Sequence, residues 1–424
     1  MGSRWASFKL SEVCTKIGSG ATPRGGSEVY LERGPFSLIR SQNVYNNGFT
    51  KQGLAYIDEK AASDLSNVEV LPEDILLNIT GDSVARVCQV PQDVLPARVN
   101  QHVTIIRPDR ARLNPRFLRY WLSSPSTQAL LLTWASAGAT RNALTKGMIE
   151  SIVVHAPEDI HEQEAIAHIL GTFDDKIELN RKMNETLESI ARALFKSWFI
   201  DFDPVRAKME GRWKKGQSLP GLPAELFDLF PDSMKELETR ILPSSWLLDR
   251  IDSFFILSYG KSLPSEKRSL GEVPVYGSGG LSGFHNVSLV NRPTIIVGRK
   301  GTVGSLYWEE QPCFPIDTVF FVESSLPLTF CFFLLESLPL RDMNTDAAVP
   351  GLNRENVYRL PFPRPSAQII DAFDRTARII RARLVENLKE TTSLIGIRDS
   401  LLPKLVAGKL AIRNVHDFLK GRGL

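Results

Sequence analysis

The fold of this chain is constrained above all by an apolar seam that occurs twice. The first copy runs through Ile166, Leu170, Phe173, Ile177, Asn180, Asn184, Leu187, Ala191, Leu194 and Trp198. The second runs through Phe373, Ala377, Ile380, Leu384, Asn387, Thr391, Leu394, Arg398, Leu401 and Leu405. Steps of four and three alternate along both, which puts each seam on one face of a helix. The same 207 residues separate Leu187 from Leu394 and Asn180 from Asn387. Unrelated amphipathic helices could agree in phase, but not with a polar Asn set against a polar Asn. One such stripe alone would read as the core face of an ordinary long helix; the pair reads as a duplicated coiled-coil segment. A helix of about forty residues is about 60 Å long, so its seam needs an equally long partner, and the duplicate supplies it.

What precedes each helix repeats more loosely. Before the first stand the strand Asp74 to Ile79, then Thr80-Gly81, a strand at Val103 to Ile106, and a short helix opened by Asn114-Pro115, a cap followed by a first-turn proline. Before the second stand Thr294 to Gly298, a strand at Thr318 to Val322, and a helical run from Pro327. Trp5 and Trp246 open the two units. Residues 201–243 are rich in Pro, Gly and charge and read as a linker, although Phe227, Leu229 and Phe230 suit a segment that packs on something. The expected class is α+β: a globular domain (1–160), a long helix (161–200), the linker (201–243), a second globular domain (244–365), a second long helix (366–410) and a tail (411–424). Connectivity favours an antiparallel helix pair with a pseudo-twofold axis and with the C-terminus returning towards the N-terminus. On this reading Asn180 and Asn387 are register residues, costing stability but fixing alignment.

Composition bounds the function. Of 424 residues 43% are hydrophobic and 23% charged, enough for two or three real cores. Lys+Arg 51 against Asp+Glu 48 leaves a net charge of +3, so any polyanion site must be local. The longest apolar run, Leu326 to Leu340, is cut by Glu336 and Pro339 and is too short for a membrane span. The start of the chain has no apolar signal region. A cytoplasmic protein with no membrane partner is expected. Cys14, Cys88, Cys313 and Cys331 form no close pair and stand at no metal-ligand spacing, which predicts buried thiols without disulfide or metal. The chain has no GxxxxGK[ST], HExxH or GxSxG motif. The glycines of Gly277 to Gly283 do not match GxGxxG. No catalytic residue and no metal ligand is assigned.

What remains is a set of polar and basic loops. In the second domain Gly298-Arg299-Lys300-Gly301 leaves an apolar strand through a turn with two cations between glycines, where packing would offer them little. In the first, a strand ending at Ile39 runs into Arg40, Ser41, Gln42 and Asn43, and a later loop carries Arg98, Asn100, Gln101 and His102. The stretch with Arg141 and Asn142 aligns with that of Asn353 and Arg354. Lys261 and Ser278 complete the set of candidate DNA-binding residues. Arg, Lys, Asn and Gln match the donor and acceptor edges of guanine and adenine in the major groove, at about 1–3 kcal/mol of discrimination per bidentate pair.

At this level of detail the chain resembles the specificity subunits of Type I restriction-modification systems. The resemblance rests on Asn184 to Leu187 with Ala193 to Val205, on Gly221 to Pro231, on Tyr276 to Gly280 with Gly298 to Gly304, and on Arg398 to Leu410. It implies two target recognition domains, each reading half of a split duplex DNA site. It also implies two helical regions that dock two methyltransferase (modification) subunits and set the spacer, with motor and nuclease subunits as further partners. The chain itself would then be non-catalytic, with no cofactor of its own, and S-adenosylmethionine, ATP and Mg²⁺ would belong to partner subunits. Where the second domain has Arg299-Lys300 after its strand, the aligned stretch of the first is Asn78-Ile79-Thr80, so that basic contact does not carry across. The alternative is a coiled-coil interaction scaffold without DNA specificity.

Overall fold

The computed structural model describes residues 4–137, 142–237, 240–343, 351–412 and 420. The chain divides into two units, Met1–Asn180 with Lys389–Leu424, and Arg181–Leu388. The division passes through both long helices, Ile160–Phe199 and Ala367–Leu405.

In the first unit the central sheet has the order Cys14–Ser19, Val103–Pro108, Ile75–Asn78, Val87–Gln89, all antiparallel. Ile75, Leu76 and Leu77 are all fully buried because both faces are covered. Ile75 and Leu77 pack with Leu118, Ile166 and Leu170 on the helical side. Leu76 points the other way, into a core with Leu38 and Val99 of a second sheet. A strand buried on both faces must be apolar at every position, and each such side chain contributes about 1.5–3 kcal/mol. The second sheet has the order Ala55–Ile57, Phe36–Ile39, Ala97–Val99, Glu69–Val70, with its middle pair parallel. Trp5–Lys9 pairs with Val153–Pro157 at the entry to the first long helix.

The second unit repeats this plan. Its central sheet has the order Ile256–Tyr259, Val319–Glu323, Thr294–Gly298, Leu306–Glu309, again antiparallel throughout. Ile295 and Val297 join the aromatic core of Phe199, Trp246, Phe330 and Phe373, while Ile296 joins Val319 and Phe321 on the other face. A smaller sheet, Gly280–His285, Val273–Gly277, Phe314–Pro315, also contains one parallel pair. Leu247–Arg250 pairs with Pro361–Arg364 ahead of the second long helix.

Residues 201–243, read as a linker that packs on something, connect the two long stretches with regular structure of their own. They form the helix Asp203–Met209, a 3-10 stretch Ala224–Leu229 and the strands Met234–Leu237 and Arg240–Pro243. The physical reason is aromatic: Trp213 and Phe230 are buried, the Trp198 and Phe230 rings lie 5.3 Å apart, and Lys208 Nζ donates to the carbonyls of Phe227 and Phe230. Inside each unit the long helices run antiparallel. In the first, Asp174 meets Arg398 and Asn180 meets Thr391; in the second, Asn184 meets Asn387 and Phe195 meets Phe373. The C-terminal segment does return to the start of the chain within the first unit, where Gly408 lies against the Trp5 ring, close enough that a Cβ would stand 2.8 Å from it.

Candidate nucleic-acid interface

Antiparallel pairing puts the end of Cys14–Ser19, the end of Ile75–Asn78 and the start of Val103–Pro108 on one sheet edge, with Thr104 opposite Ser19 and Val103 opposite Asn78. The same edge of the second unit sets Tyr259 opposite Phe320 and Gly298 opposite Val319. The correspondence continues past the strands. Ile79 O accepts from Leu144 N at 2.8 Å, as Arg299 O does from Leu352 N at 2.8 Å. Thr80 bridges to Ala143, as Lys300 does to Gly351. Thr145 and Asn353 then cap matching short helices, Lys146–Glu150 and Arg354–Tyr358. Gly20 and Gly260 follow the two edge strands where a Cβ would strike a carbonyl oxygen, of Val99 at 1.7 Å and of Ile316 at 2.0 Å.

The edge of the second unit is basic and aromatic. Arg299 lies over the rings of Tyr259 and Phe320, with its guanidinium 5.4 and 5.8 Å from their centroids, and its Nη2 donates to Asp317 O at 2.5 Å. Arg354 lies over the same Tyr259 at 5.1 Å and over Tyr358 at 5.5 Å. The Nε of each arginine is buried without an acceptor. Lys261 and Lys300 are exposed beside them.

The matching edge of the first unit carries a polar hydrogen-bond chain, with one arginine brought beside it on a neighbouring loop. Thr22 Oγ1 donates to Gln101 Oε1 at 2.5 Å, and Gln101 Nε2 lies 3.1 Å from His102 Nε2. With the amide donating there, the ring proton sits on Nδ1 and is donated to Thr80 Oγ1 at 2.6 Å. Asn78 Nδ2 donates to Ser41 O at 2.8 Å and Asn100 N to Ile39 O at 3.0 Å, which brings the Arg40 loop to this edge. Arg40 lies over Tyr30 at 5.3 Å and donates to Gly53 O at 2.6 Å, a carbonyl it shares with Gln42 at 2.9 Å.

Several sequence-predicted residues are placed differently from expectation. Arg98 is buried, donates to Ala62 O and Ala97 O and covers Phe36, so it is an internal strut that cannot face a duplex. Asn43 is fully buried and closes its own loop, accepting from Arg40 N and donating to Thr50 O and Gln52 O. Asn100 is buried with its side chain holding His102 N. Arg299, expected on an unpacked turn, has an aromatic seat. Ser278 is half-buried and its carbonyl accepts from Ser305 and Tyr307. Gln42, Gln101, Asn142, Lys261, Lys300 and Asn353 are exposed, and Asn353 also spends its Oδ1 as a helix cap. Arg141 lies outside the described residues. Tyr259, Thr22 and Thr80 were not picked out; the repeated glycine pair Gly20 and Gly260 is the signal that could have led to Tyr259.

On the helix seam Asn180 and Asn387 are both buried. Asn180 Nδ2 donates to Glu390 Oε2 at 2.8 Å, Asn387 Nδ2 to Asn184 Oδ1 at 2.8 Å, and each keeps a buried Oδ1 without a donor. Nearer the first domain, Asp174 accepts from Arg119, Tyr120 and Arg398 at 2.7, 2.6 and 2.8 Å. Burial pushes the Asp174 carboxyl up, but Arg119, Tyr120 and Arg398 outweigh it and hold the pKa below the usual carboxylate value. Burial pushes the thiols of Cys14, Cys88 and Cys313 up to about 12, which makes them poor nucleophiles at neutral pH. Among the described residues no cluster of His, Cys, Asp or Glu could hold a metal ion, and no helix is long and apolar enough to cross a membrane.

Comparison with known proteins places this geometry. Residues 2–189 match the Type I restriction modification DNA specificity domain. The Type I restriction enzyme HindI specificity subunit of Haemophilus influenzae is 27% identical, over 88% of this chain and 94% of that protein. The Type I restriction enzyme MjaIX specificity subunit of Methanocaldococcus jannaschii is 24% identical, over 97% of this chain and 94% of that protein. The crystal structure of a Type I restriction-modification S subunit from M. genitalium shares the fold, with a TM-score of 0.61 over 95% of this chain and 96% of that one at 19% identity. These matches lend no support to an unrelated coiled-coil scaffold. The chain is thus similar to Type I restriction-modification specificity subunits along nearly its whole length, with residues 2–189 matching the DNA specificity domain.

Proposed function

We propose that this chain is the sequence-recognition subunit of a Type I restriction-modification complex, each globular domain reading one half of a split duplex target. The observation that carries this reading is the duplicated sheet edge. Two units of one topology present different polar surfaces at the same place, as expected of a protein that must read two different half-sites with one scaffold. The long helices serve as the docking platform for two modification subunits, and their register, held by Asn180 and Asn387, sets the spacer. Exposed Leu179, Ile190, Ile379, Leu388 and Ile397 on these helices supply apolar surface for such partners. Methyl transfer and cleavage, with S-adenosylmethionine, ATP and Mg²⁺, belong to the partners, and the work is done in the cytoplasm.

Reconstitution with the modification subunits tests this. The expected result is methylation confined to one bipartite sequence, absent when either protein is omitted. Binding should weaken with salt at a slope of about −0.9 per phosphate neutralised. Methylation without sequence preference, or by this chain alone, would overturn the reading.

A further inference from the structure

We infer that Tyr259 is the positioning residue of a guanine-reading device confined to the second domain. The inference rests on the DNA-recognition reading and deepens it by naming the base. Tyr259 is the last residue of its edge strand and is 51% exposed, yet its ring is shared by two guanidinium groups, Arg299 at 5.4 Å and Arg354 at 5.1 Å. An edge-on contact with the buried Phe320 ring, 4.9 Å between centroids, fixes the tyrosine from below. Stacking on an aromatic face holds a guanidinium in plane while leaving its charge intact.

Donors exceed acceptors here. Arg299 has no carboxylate partner among the described ion pairs, and the nearest carboxylate to Arg354 Nε is that of Glu355 at 3.6 Å, beyond a hydrogen bond. Each guanidinium makes one hydrogen bond to a backbone carbonyl, Arg299 Nη2 to Asp317 O at 2.5 Å and Arg354 Nη1 to Leu257 O at 3.4 Å, which leaves further donors on two half-exposed side chains for an acceptor-rich ligand. In duplex DNA the pair of adjacent acceptors matched to a planar guanidinium is guanine O6 and N7. A phosphate clamp would need charge but no ring seat, and exposed Lys261 and Lys300 already offer that charge.

At the equivalent positions the first domain lacks this pair; its ring-seated arginine at the edge, Arg40 over Tyr30, comes from a different loop and stands alone. Ser19 stands where Tyr259 does, Ile79 where Arg299 does and Lys146 where Arg354 does. Its half-site is therefore read without this element.

The test uses the full chain in complex with its modification subunits and a duplex library with a randomised core. The wild type should select a split sequence with guanine in one half. Tyr259→Phe, which keeps the ring, should select the same sequence. Tyr259→Leu, Arg299→Lys and Arg354→Lys should each lose about 5- to 150-fold of the preference for guanine at one position of that half and leave the other half unchanged. Replacing that guanine by 7-deazaguanine, which lacks the N7 acceptor, should weaken wild-type binding and have little further effect on Tyr259→Leu. This arm does not depend on any variant folding. A selected sequence with no guanine in either half, unchanged preference in Tyr259→Leu, or loss spread evenly over all sequences as for a phosphate clamp overturns the inference and leaves the recognition reading standing. If the wild-type complex selects no sequence at all, the recognition reading fails and this inference with it.

Discussion

The two sheet edges share strand order, strand pairing and the hydrogen bonds that hold the following loop, yet one carries a Thr-Gln-His hydrogen-bond chain beside a single arginine, Arg40, and the other a pair of guanidinium groups on one tyrosine. The difference shows that the scaffold and the readout are separable. The apolar strands Ile75–Asn78 and Thr294–Gly298 are buried on both faces in both units, so burial dictates their composition. The residues just past them pack in different ways, Ile79 in the core of its unit and Arg299 over two aromatic rings. Ile79 and Arg299 accept the same backbone hydrogen bond with side chains of opposite character.

The helix contacts differ in the same way, and there the largest effect is expected. Asp174 and Arg381 occupy equivalent seam-flanking positions, 207 residues apart. Asp174 is buried among Arg119, Tyr120 and Arg398, while Arg381 pairs with Glu310 at 3.0 Å in a half-exposed setting over Trp308. Asp174→Ala leaves the buried Arg119 without its carboxylate, although Arg398 keeps Asp399 at 2.8 Å, and should cost about 3–5 kcal/mol. Arg381→Ala should cost about 1 kcal/mol or less. Denaturant midpoints of the two variants check this, and equal losses would break the contrast.

Next in size is Arg299→Ala, expected to cost about 1–3 kcal/mol on the half-site of its own domain, whereas Thr80→Val should change only the preference of the other half. Binding to single-base variants of the target separates them. If both substitutions altered the same half, the domains would not read independently.

On the seam, Asn180→Leu and Asn387→Leu each remove a buried amide oxygen that lacks a donor, and each should raise stability by about 1 kcal/mol. The amide freed at Asn184 is half-exposed and can turn to water, and Glu390 keeps Lys176 at 3.3 Å. A double variant with higher stability and a relaxed spacer preference supports the register role; unchanged values of both contradict it.

The smallest effect is a pH dependence confined to the first unit. The folded pKa of Asp174 lies below its unfolded value, so its contribution is complete above the unfolded pKa, about 4, and is lost as pH falls through the folded value. Hydrogen exchange should show the segment around Arg119 and Arg398 loosening below about pH 4 in the wild type and no such step in Asp174→Asn.

Much of this architecture is legible in the residues. The seam is, because a helix buries every third or fourth side chain and Asn180 and Asn387 mark the copies. The central strands are, because three consecutive apolar residues, Ile75 to Leu77 and Ile295 to Val297, suit a doubly covered sheet. In residues 201–243 Phe230 hints at packing, but the short helix and strands are hidden by Pro and Gly, and Trp213 gains its meaning only beside Phe227 and Phe230. Arg98 misleads because an arginine near a loop reads as exposed, and only the pairing with Phe36–Ile39 turns it inward. For Tyr259 the sequence offers only the neighbouring Gly260, which repeats Gly20, because the role of the ring arises from Arg299 and Arg354, residues 40 and 95 positions away.

The most direct test of the account exchanges one domain. Residues 244–365 are replaced by the corresponding domain of a relative with a different target, and the methylated sequence of cells carrying the chimaera and its modification subunits is mapped. The account predicts a bipartite sequence in which one half changes to that of the donor while the other half is kept. Unchanged methylation, or simultaneous change of both halves, would contradict the claim that each unit reads its own half of the target.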